Sequence, residues 1–167
     1  MRSWKLRKLV INLSYAAVLL ASLSNPGTLR INGIPGLLVK ASAAALFAAS
    51  LYAAVAVHSM FPGKHDEPGD FGELLTSGPY AYCRHPFYLS LILNQLSIPL
   101  FFGSLEGLAA FLLFLPGWLL LIRVEERELL EHWGERYRRY MEEVPALIPL
   151  PPRLAGVGGR RSGGEEG

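Results

Sequence analysis

Long apolar stretches alternate with short polar ones along the chain, and their lengths predict membrane-spanning helices. Segments 41–61, 86–105 and 107–122 contain no Asp, Glu, Lys or Arg. The hydrocarbon core of a bilayer is about 30 Å thick, and a helix needs roughly 17–25 apolar residues to cross it. Together with an apolar run near the N-terminus, this pattern predicts four spans, at about 6–24, 34–61, 86–103 and 107–122. The predicted fold is an all-α membrane protein.

The third and fourth predicted spans should form an antiparallel helical hairpin. Only a few residues between Gly103 and Gly107 connect them, and short connections make neighbouring helices antiparallel. Two polar clusters, 84–88 before the third span and Glu125-Glu126 after the fourth, then lie at the same membrane face. The topology therefore predicts one site that both helices share.

The residues after the fourth span predict an amphipathic cytosolic helix over 124–141, because apolar side chains recur there at spacings of three and four. We expect one integral-membrane domain over 1–153, since 167 residues fit a single domain. The Gly-rich, charged tail 154–167 is predicted to be disordered. The polar loop 62–77 is either an ordered cap over the site or a flexible linker.

The distribution of Lys and Arg predicts the orientation of the protein in the membrane. Cations precede the first span, lie between the second and third spans, and follow the fourth, so both termini should be cytoplasmic. A nucleic-acid partner is not expected from this distribution, because the basic residues follow the topology and form no patch. The basic start before an apolar run is also typical of a secretory signal peptide, with 21–24 as a cleavage site.

The chemistry of the polar cluster favours an amino-acid headgroup as a ligand. A glutamate can bind the ammonium, and His85 or tyrosine hydroxyls can bind the carboxylate. Aromatic faces attract a sulfonium or another onium ion by cation–π interaction. The alternative is a set of juxtamembrane charges with an aromatic belt. A metal site is not expected, because Cys83 is the single cysteine and the histidines show no zinc-ligand spacing.

The motif Arg84-His85-Pro86-Phe87-Tyr88, a hydrophobic hairpin and then Glu125-Glu126 resembles one superfamily of membrane enzymes. This is the isoprenylcysteine carboxyl methyltransferase and phospholipid methyltransferase superfamily. The similarity extends to 75–80 upstream, and to 132–137 and 144–145 downstream, so that about 70–150 is covered. The first two predicted spans resemble the family only as apolar spans and carry none of the quoted motifs.

The resemblance implies S-adenosylmethionine as the methyl donor, bound within about 72–145 and entering from the cytosol. By position, Leu74 and Leu75 would flank the adenosine, and Glu125 would hold the amino group. The other residues implied to line the cofactor site are Tyr80, His85, Pro86, Phe87 and Tyr88. Arg84 and Glu126 are the implied catalytic pair, with Glu126 supporting Glu125 or orienting the arginine.

The resemblance also implies a lipidic or amphipathic acceptor that enters from the membrane lipid. A prenylcysteine-type carboxylate, as in protein C-terminal O-methylation, is the first expectation, and a phospholipid or small amine is the alternative. Leu121 stands where many members carry an acceptor-binding arginine, and Ser90 replaces a family glycine. Two readings of other classes are a non-catalytic membrane scaffold and a nicotinamide-dependent membrane reductase. The reductase would need more spans and more phosphate-binding cations.

Overall fold

A computed structural model describes residues 3–60 and 73–149, and the side chains from residue 5 onward. The described residues form five α-helices and a 3₁₀ turn at Gly78–Ala81, and no strand occurs among them. The helices are α1 (Ser3–Ser24), α2 (Gly33–His58), α3 (Pro86–Phe102), α4 (Leu105–Trp133) and α5 (Glu135–Glu143). The prediction of an all-α membrane fold is confirmed. The expectations for most of loop 62–77 and for tail 154–167 fall outside the described residues.

The α3–α4 hairpin is the centre of the bundle. α1 packs mainly against α4, and α2 packs mainly against α3. Of the described helices, α1, α2 and α4 are long and apolar enough to cross a membrane, and α3 is a shorter apolar helix of 17 residues. The starts of α1 and α3 and the ends of α2 and α4 lie at one end of the bundle, which we call the mouth.

The opposite end of the bundle is closed by a short hairpin turn and the α1–α2 loop. Gly103 follows the last residue of α3 and has a left-handed φ of 61°. The Ser104 hydroxyl accepts a hydrogen bond from the Gly107 amide at the start of α4. The Gly27 amide donates to the carbonyl of Phe102 at 2.9 Å. These bonds fix the register of the hairpin, and the register sets which residues of α3 and α4 meet at the mouth.

Polar side chains in the interior of the bundle join the helices to one another. Asn94 on α3 donates to the Phe47 carbonyl and the Ser50 hydroxyl on α2, at 3.1 and 3.2 Å. The Tyr15 hydroxyl on α1 donates to the Leu91 carbonyl at 2.8 Å. Such bonds hold helices together where lipid provides no hydrophobic driving force. Asn94 is therefore an interhelical contact.

The predicted amphipathic helix over 124–141 is wrong as a single element. Residues 124–133 continue α4 without a break, and the chain turns at Gly134, whose φ is 55°, before α5 begins. A positive φ is accessible to glycine at little steric cost, so this residue allows a sharp change of direction. The turn brings Tyr137 and Tyr140 of α5 back over the mouth, where both are buried.

A close approach between α1 and α4 requires glycine at position 107. A β-carbon there would lie 2.1 Å from the Ser22 hydroxyl oxygen and 3.1 Å from Pro99 Cβ. We expect Gly107→Ala to lower the free energy of unfolding by about 1–3 kcal/mol, because extra volume in a packed interface forces the helices apart. Thermal unfolding in detergent measures this change.

Gly117→Ala is the matched control on the same helix. A β-carbon at Gly117 meets Val10 Cγ1 at 3.4 Å, an ordinary van der Waals contact. The control should unfold within a degree or two of wild type, since it needs no helix displacement. Equal stability of the Gly107→Ala and Gly117→Ala proteins would contradict the close packing of α1 on α4.

Candidate functional site

A cavity of about 360 Å³ lies at the mouth of the bundle. Its wall takes residues from all five helices and from the segment that precedes α3. The lining residues are Arg7, Lys8, Ile11, Val57, His58, Glu73, Leu74, Leu75, Tyr80, Arg84, His85, Phe87, Tyr88, Glu125, Leu129, Trp133, Tyr137 and Tyr140. The volume falls in the range of small-molecule sites, about 300–1,000 Å³, and the mixture of aromatic, apolar and few charged groups is typical of them.

Glu125 is the carboxylate on the cavity wall that α4 contributes. Its Oε2 accepts a hydrogen bond from the Tyr88 hydroxyl at 2.5 Å and from Arg7 Nη1 at 3.1 Å. Its Oε1 lies 4.0 Å from His85 Nδ1. Three helices thus orient one carboxylate group toward the cavity, and a cationic ligand group would find a fixed partner there.

Arg84 on the cavity wall and Glu126 behind it form a mostly buried ion pair. Arg84 Nε and Nη2 donate to Glu126 Oε1 at 2.9 and 2.5 Å. Arg84 Nη1 donates to the carbonyls of Met141, in α5, and of Val144, the residue that follows α5. The guanidinium therefore ties the start of α3 to both α4 and α5, and its donors are engaged within the protein.

His85 is held by the backbone of the segment that follows α5. Its amide donates to the Ala146 carbonyl at 3.1 Å, and the amide of Arg84 donates to Pro145 at 2.9 Å. The His85 ring is buried, with Nε2 3.3 Å from Glu126 Oε1. The Val-Pro segment that ends α5 thus positions the imidazole at the cavity wall.

Tyrosine hydroxyls supply neutral hydrogen-bonding groups around the cavity. Burial raises the pKa of Tyr80, Tyr137 and Tyr140 above the ordinary value of 10.0, so these phenols stay protonated at physiological pH. The Tyr140 hydroxyl donates to the Tyr80 carbonyl at 2.6 Å and fixes the 3₁₀ turn against α5. These three tyrosines therefore make their part of the wall uncharged.

The structure brings most of the predicted site residues to this one cavity. The predicted residues on its wall are Leu74, Leu75, Tyr80, Arg84, His85, Phe87, Tyr88 and Glu125. Glu126 lies behind the wall, in contact with Arg84 and His85. Pro86 is the first residue of α3 and does not line the cavity. Tyr82, two residues before Arg84, is 48% exposed and also lies outside it.

Several wall residues were not predicted, and they come from α1, α2, α4 and α5. Arg7 and Lys8 were interpreted only from the charge before the first span, and His58 only as one of several histidines without zinc-ligand spacing. Trp133, Tyr137 and Tyr140 belong to the amphipathic pattern that predicted a helix leaning over the mouth. Within residues 3–60 and 73–149, no group of three His, Cys, Asp or Glu side chains is arranged to hold a metal ion.

Comparison with known proteins gives a match to one protein family. The family model described as phospholipid methyltransferase matches residues 35–136, which is more than half of the chain. The matched region runs from α2 through the hairpin to the start of α5, and it contains most of the cavity wall. No solved structure matches significantly.

Three curated proteins are similar over part of the chain. One is a protein-S-isoprenylcysteine O-methyltransferase of Schizosaccharomyces pombe, 35% identical over 47% of this chain and 34% of that protein. The cobalt-zinc-cadmium resistance protein CzcN of Cupriavidus metallidurans is 38% identical over 46% and 35%. A methanethiol S-methyltransferase of Mycobacterium tuberculosis is 33% identical over 44% and 30%. The matches thus cover about a third of these relatives' lengths.

Proposed function

The chain belongs to the phospholipid methyltransferase family, and we propose that it transfers a methyl group from S-adenosylmethionine to a lipidic or amphipathic acceptor. Its apolar helices and its family make it a multi-pass membrane protein. The observation that carries the proposal is the position of Glu125. This carboxylate is fixed by Tyr88 and faces an aromatic cavity, as the binding of an amino-acid headgroup beside an onium ion requires.

The residues of the cavity fit the parts of S-adenosylmethionine. Glu125 would hold the ammonium, and His85 or the tyrosine hydroxyls would bind the carboxylate. Leu74 and Leu75 would contact the adenosine. The aromatic side chains would attract the sulfonium, since a cation within about 6 Å of a ring centroid gains about 0.5–2 kcal/mol. The bound cofactor supplies an activated methyl group.

The catalytic contribution of the chain would be positioning and exclusion of water. An aromatic and aliphatic wall keeps water from the reacting groups, and transfer of a methyl from a sulfonium to an anion removes two charges. Such a reaction is favoured where neither ion is fully solvated, and orientation can contribute about 7–11 kcal/mol to lowering a barrier. We propose that Arg84 and Glu126 act by holding α3, α4 and α5 in register around the cavity.

The proposed acceptor class rests on the named activities of the relatives and on the family description. We propose a prenylcysteine-type carboxylate, as the named activity of the Schizosaccharomyces relative suggests. A phospholipid amine is the alternative suggested by the family description, and the Mycobacterium relative suggests a thiol. An amine or thiol would need a base to remove a proton, for which His85 or a glutamate of the site is a candidate.

The same proposal includes the arrangement of the chain in the membrane. We propose that the mouth and both termini face the cytosol, where S-adenosylmethionine is made available, and that 1–153 act as one domain. We also propose that α1 is a retained span and not a cleaved signal. Its Arg7 binds Glu125 and its Tyr15 binds α3, so removal of α1 would open the cavity wall.

A methyl-transfer assay tests the proposal. Purified protein in lipid vesicles is given S-adenosylmethionine labelled in its methyl group, together with N-acetyl-S-farnesylcysteine, phosphatidylethanolamine or an alkanethiol. We expect label in the farnesylcysteine ester and little in the other two. Label in another acceptor alone would correct the acceptor class. No label in any of them, with no binding of S-adenosylmethionine, would favour a membrane scaffold.

A further inference from the structure

The resemblance places an acceptor-binding arginine on α4, at position 121. The cations on the cavity wall do not come from that helix. Leu121 on α4 is fully buried and does not line the cavity. Arg123, the nearest cation on α4, is exposed and also lies off the wall. Among the described residues, the Lys and Arg side chains on the wall are Arg7 and Lys8 of α1 and Arg84.

Arg84 is not suited to bind a ligand, because its bonds hold the start of α3 to α4 and to the end of α5. Two nitrogens bind Glu126 and the third binds two backbone carbonyls. Moving this guanidinium would leave a buried carboxylate and the end of α5 without their partners. The other guanidinium on the described cavity wall is that of Arg7 on α1, and a ligand that needs such a group would bind there.

Arg7 is held at the wall by acidic residues of α4 and remains partly accessible. Nη1 lies 3.1 Å from Glu125 Oε2, and Nη2 lies 3.9 Å from Glu128 Oε2, while 16% of the side chain is exposed. Glu125 thus holds the guanidinium at the edge of the cavity, with Glu128 at ion-pair distance. A second anion at the cavity side would bind a cation whose orientation is already set.

The wall below Arg7 changes from charged to apolar with depth. Ile11 lies one turn further along α1, and Val57 and Phe87 continue the apolar surface on α2 and α3. α1 and α2 pack mainly on different helices of the hairpin, and both contribute residues to the cavity wall. An amphipathic molecule would place its headgroup at Arg7 and its tail along this apolar surface.

We propose that Arg7 is the specificity-determining residue that binds the carboxylate of an amphipathic acceptor, in place of the arginine missing at position 121. This inference rests on the proposed methyltransferase function. The planar guanidinium matches the two oxygens of a carboxylate, which an ammonium does not do. One oxygen is held while the other forms the bond to the methyl carbon. The carbon–sulfur bond breaks, its electron pair stays on sulfur, and no proton moves.

Binding of a charged ligand and its neutral analogue tests this role. N-acetyl-S-farnesylcysteine and its methyl ester differ only in the carboxylate, and each is titrated into the detergent-solubilised protein. In Arg7→Gln we expect the acid to bind about 10- to 100-fold more weakly, the usual effect of losing a hydrogen bond to a charged group. The methyl ester should bind within about threefold of wild type, and S-adenosylmethionine should lose less affinity than the acid, because Glu125 keeps its hydrogen bond from Tyr88. Arg7→Lys should recover only part of the loss.

The matched control is Arg123→Gln, which removes an exposed cation near the same end of α4 and should leave all three affinities unchanged. If Arg7→Gln weakened the binding of the acid, the ester and S-adenosylmethionine equally, the proposal would be overturned, and Arg7 would have a structural role. Full recovery in Arg7→Lys would contradict recognition by the guanidinium. Methyl transfer by wild type to an amine alone would also overturn it, while the proposed methyltransferase function would stand.

Discussion

Replacing Glu125 with Gln is expected to lower kcat/KM for S-adenosylmethionine by at least about 100-fold. The substitution keeps the shape of the side chain but removes the charge that would pair with the ammonium. Loss of one partner from a buried, hydrogen-bonded charge pair costs about 2–5 kcal/mol of binding free energy. Part of that cost arises because the ligand cation stays buried without a partner. Initial rates of label transfer at varied S-adenosylmethionine concentration measure the change, which should fall mainly on KM.

Glu131→Gln is the control for this substitution. Glu131 lies on the same helix, is exposed and does not line the cavity. Its rates should equal those of wild type, and both variants should unfold at similar temperatures if Glu125 acts on the ligand. A Glu125→Gln enzyme with unchanged KM would contradict the assignment of the ammonium to this carboxylate.

Replacing Arg84 with Ala is expected to destabilise the fold by about 3–5 kcal/mol, because it leaves Glu126 buried without its cation. The substitution also removes the bonds to the Met141 and Val144 carbonyls, so α5 should detach from the start of α3. Thermal unfolding in detergent and the rate of amide exchange in α5 measure these two effects. Methyl transfer should be lost with them.

The chain offers a second arginine–glutamate pair as a control. Arg138 Nε lies 3.3 Å from Glu135 Oε2 within α5, and both side chains are about two thirds exposed. Exposed pairs of this spacing contribute about 0.3–0.5 kcal/mol, so Arg138→Ala should change stability little. If Arg84→Ala were as stable as Arg138→Ala, the buried pair would not be the link between α3 and α5.

The meeting of the two polar clusters could be predicted from the sequence, because two features determine it. Charge-free stretches define the lengths of α3 and α4, and the short connection at Gly103 makes them antiparallel. Their mouth ends must then be neighbours. The structure shows this as the bonds from Tyr88 to Glu125 and from Arg84 to Glu126.

The contribution of α1 could not be predicted in the same way. The apolar pattern of a span gives its length, but it does not say which helix it packs against when every face is apolar. Arg7 follows the positive-inside rule, so the membrane orientation alone accounted for its charge and gave no reason to place it in the site. Only the packing of α1 on α4 shows that this cation reaches Glu125.

The break at Gly134 was missed because the periodicity of apolar residues runs on across it. Trp133, Tyr137 and Tyr140 keep the spacing of one helical face on both sides of the turn. The glycine was the available signal, since it is enriched where a helix ends. The direction of α5 after the turn depends on long-range bonds, such as that from Tyr140 to Tyr80, which a local pattern does not contain.

The central claim, that the cavity at the mouth binds S-adenosylmethionine, is tested most directly by calorimetric titration of that compound into the detergent-solubilised protein. Binding at one site per chain is predicted for wild type, with a clear loss of affinity in His85→Ala and in Glu125→Ala. Absence of binding to a folded wild-type protein, or equal binding by both variants, would contradict the claim and favour a membrane scaffold that carries no cofactor.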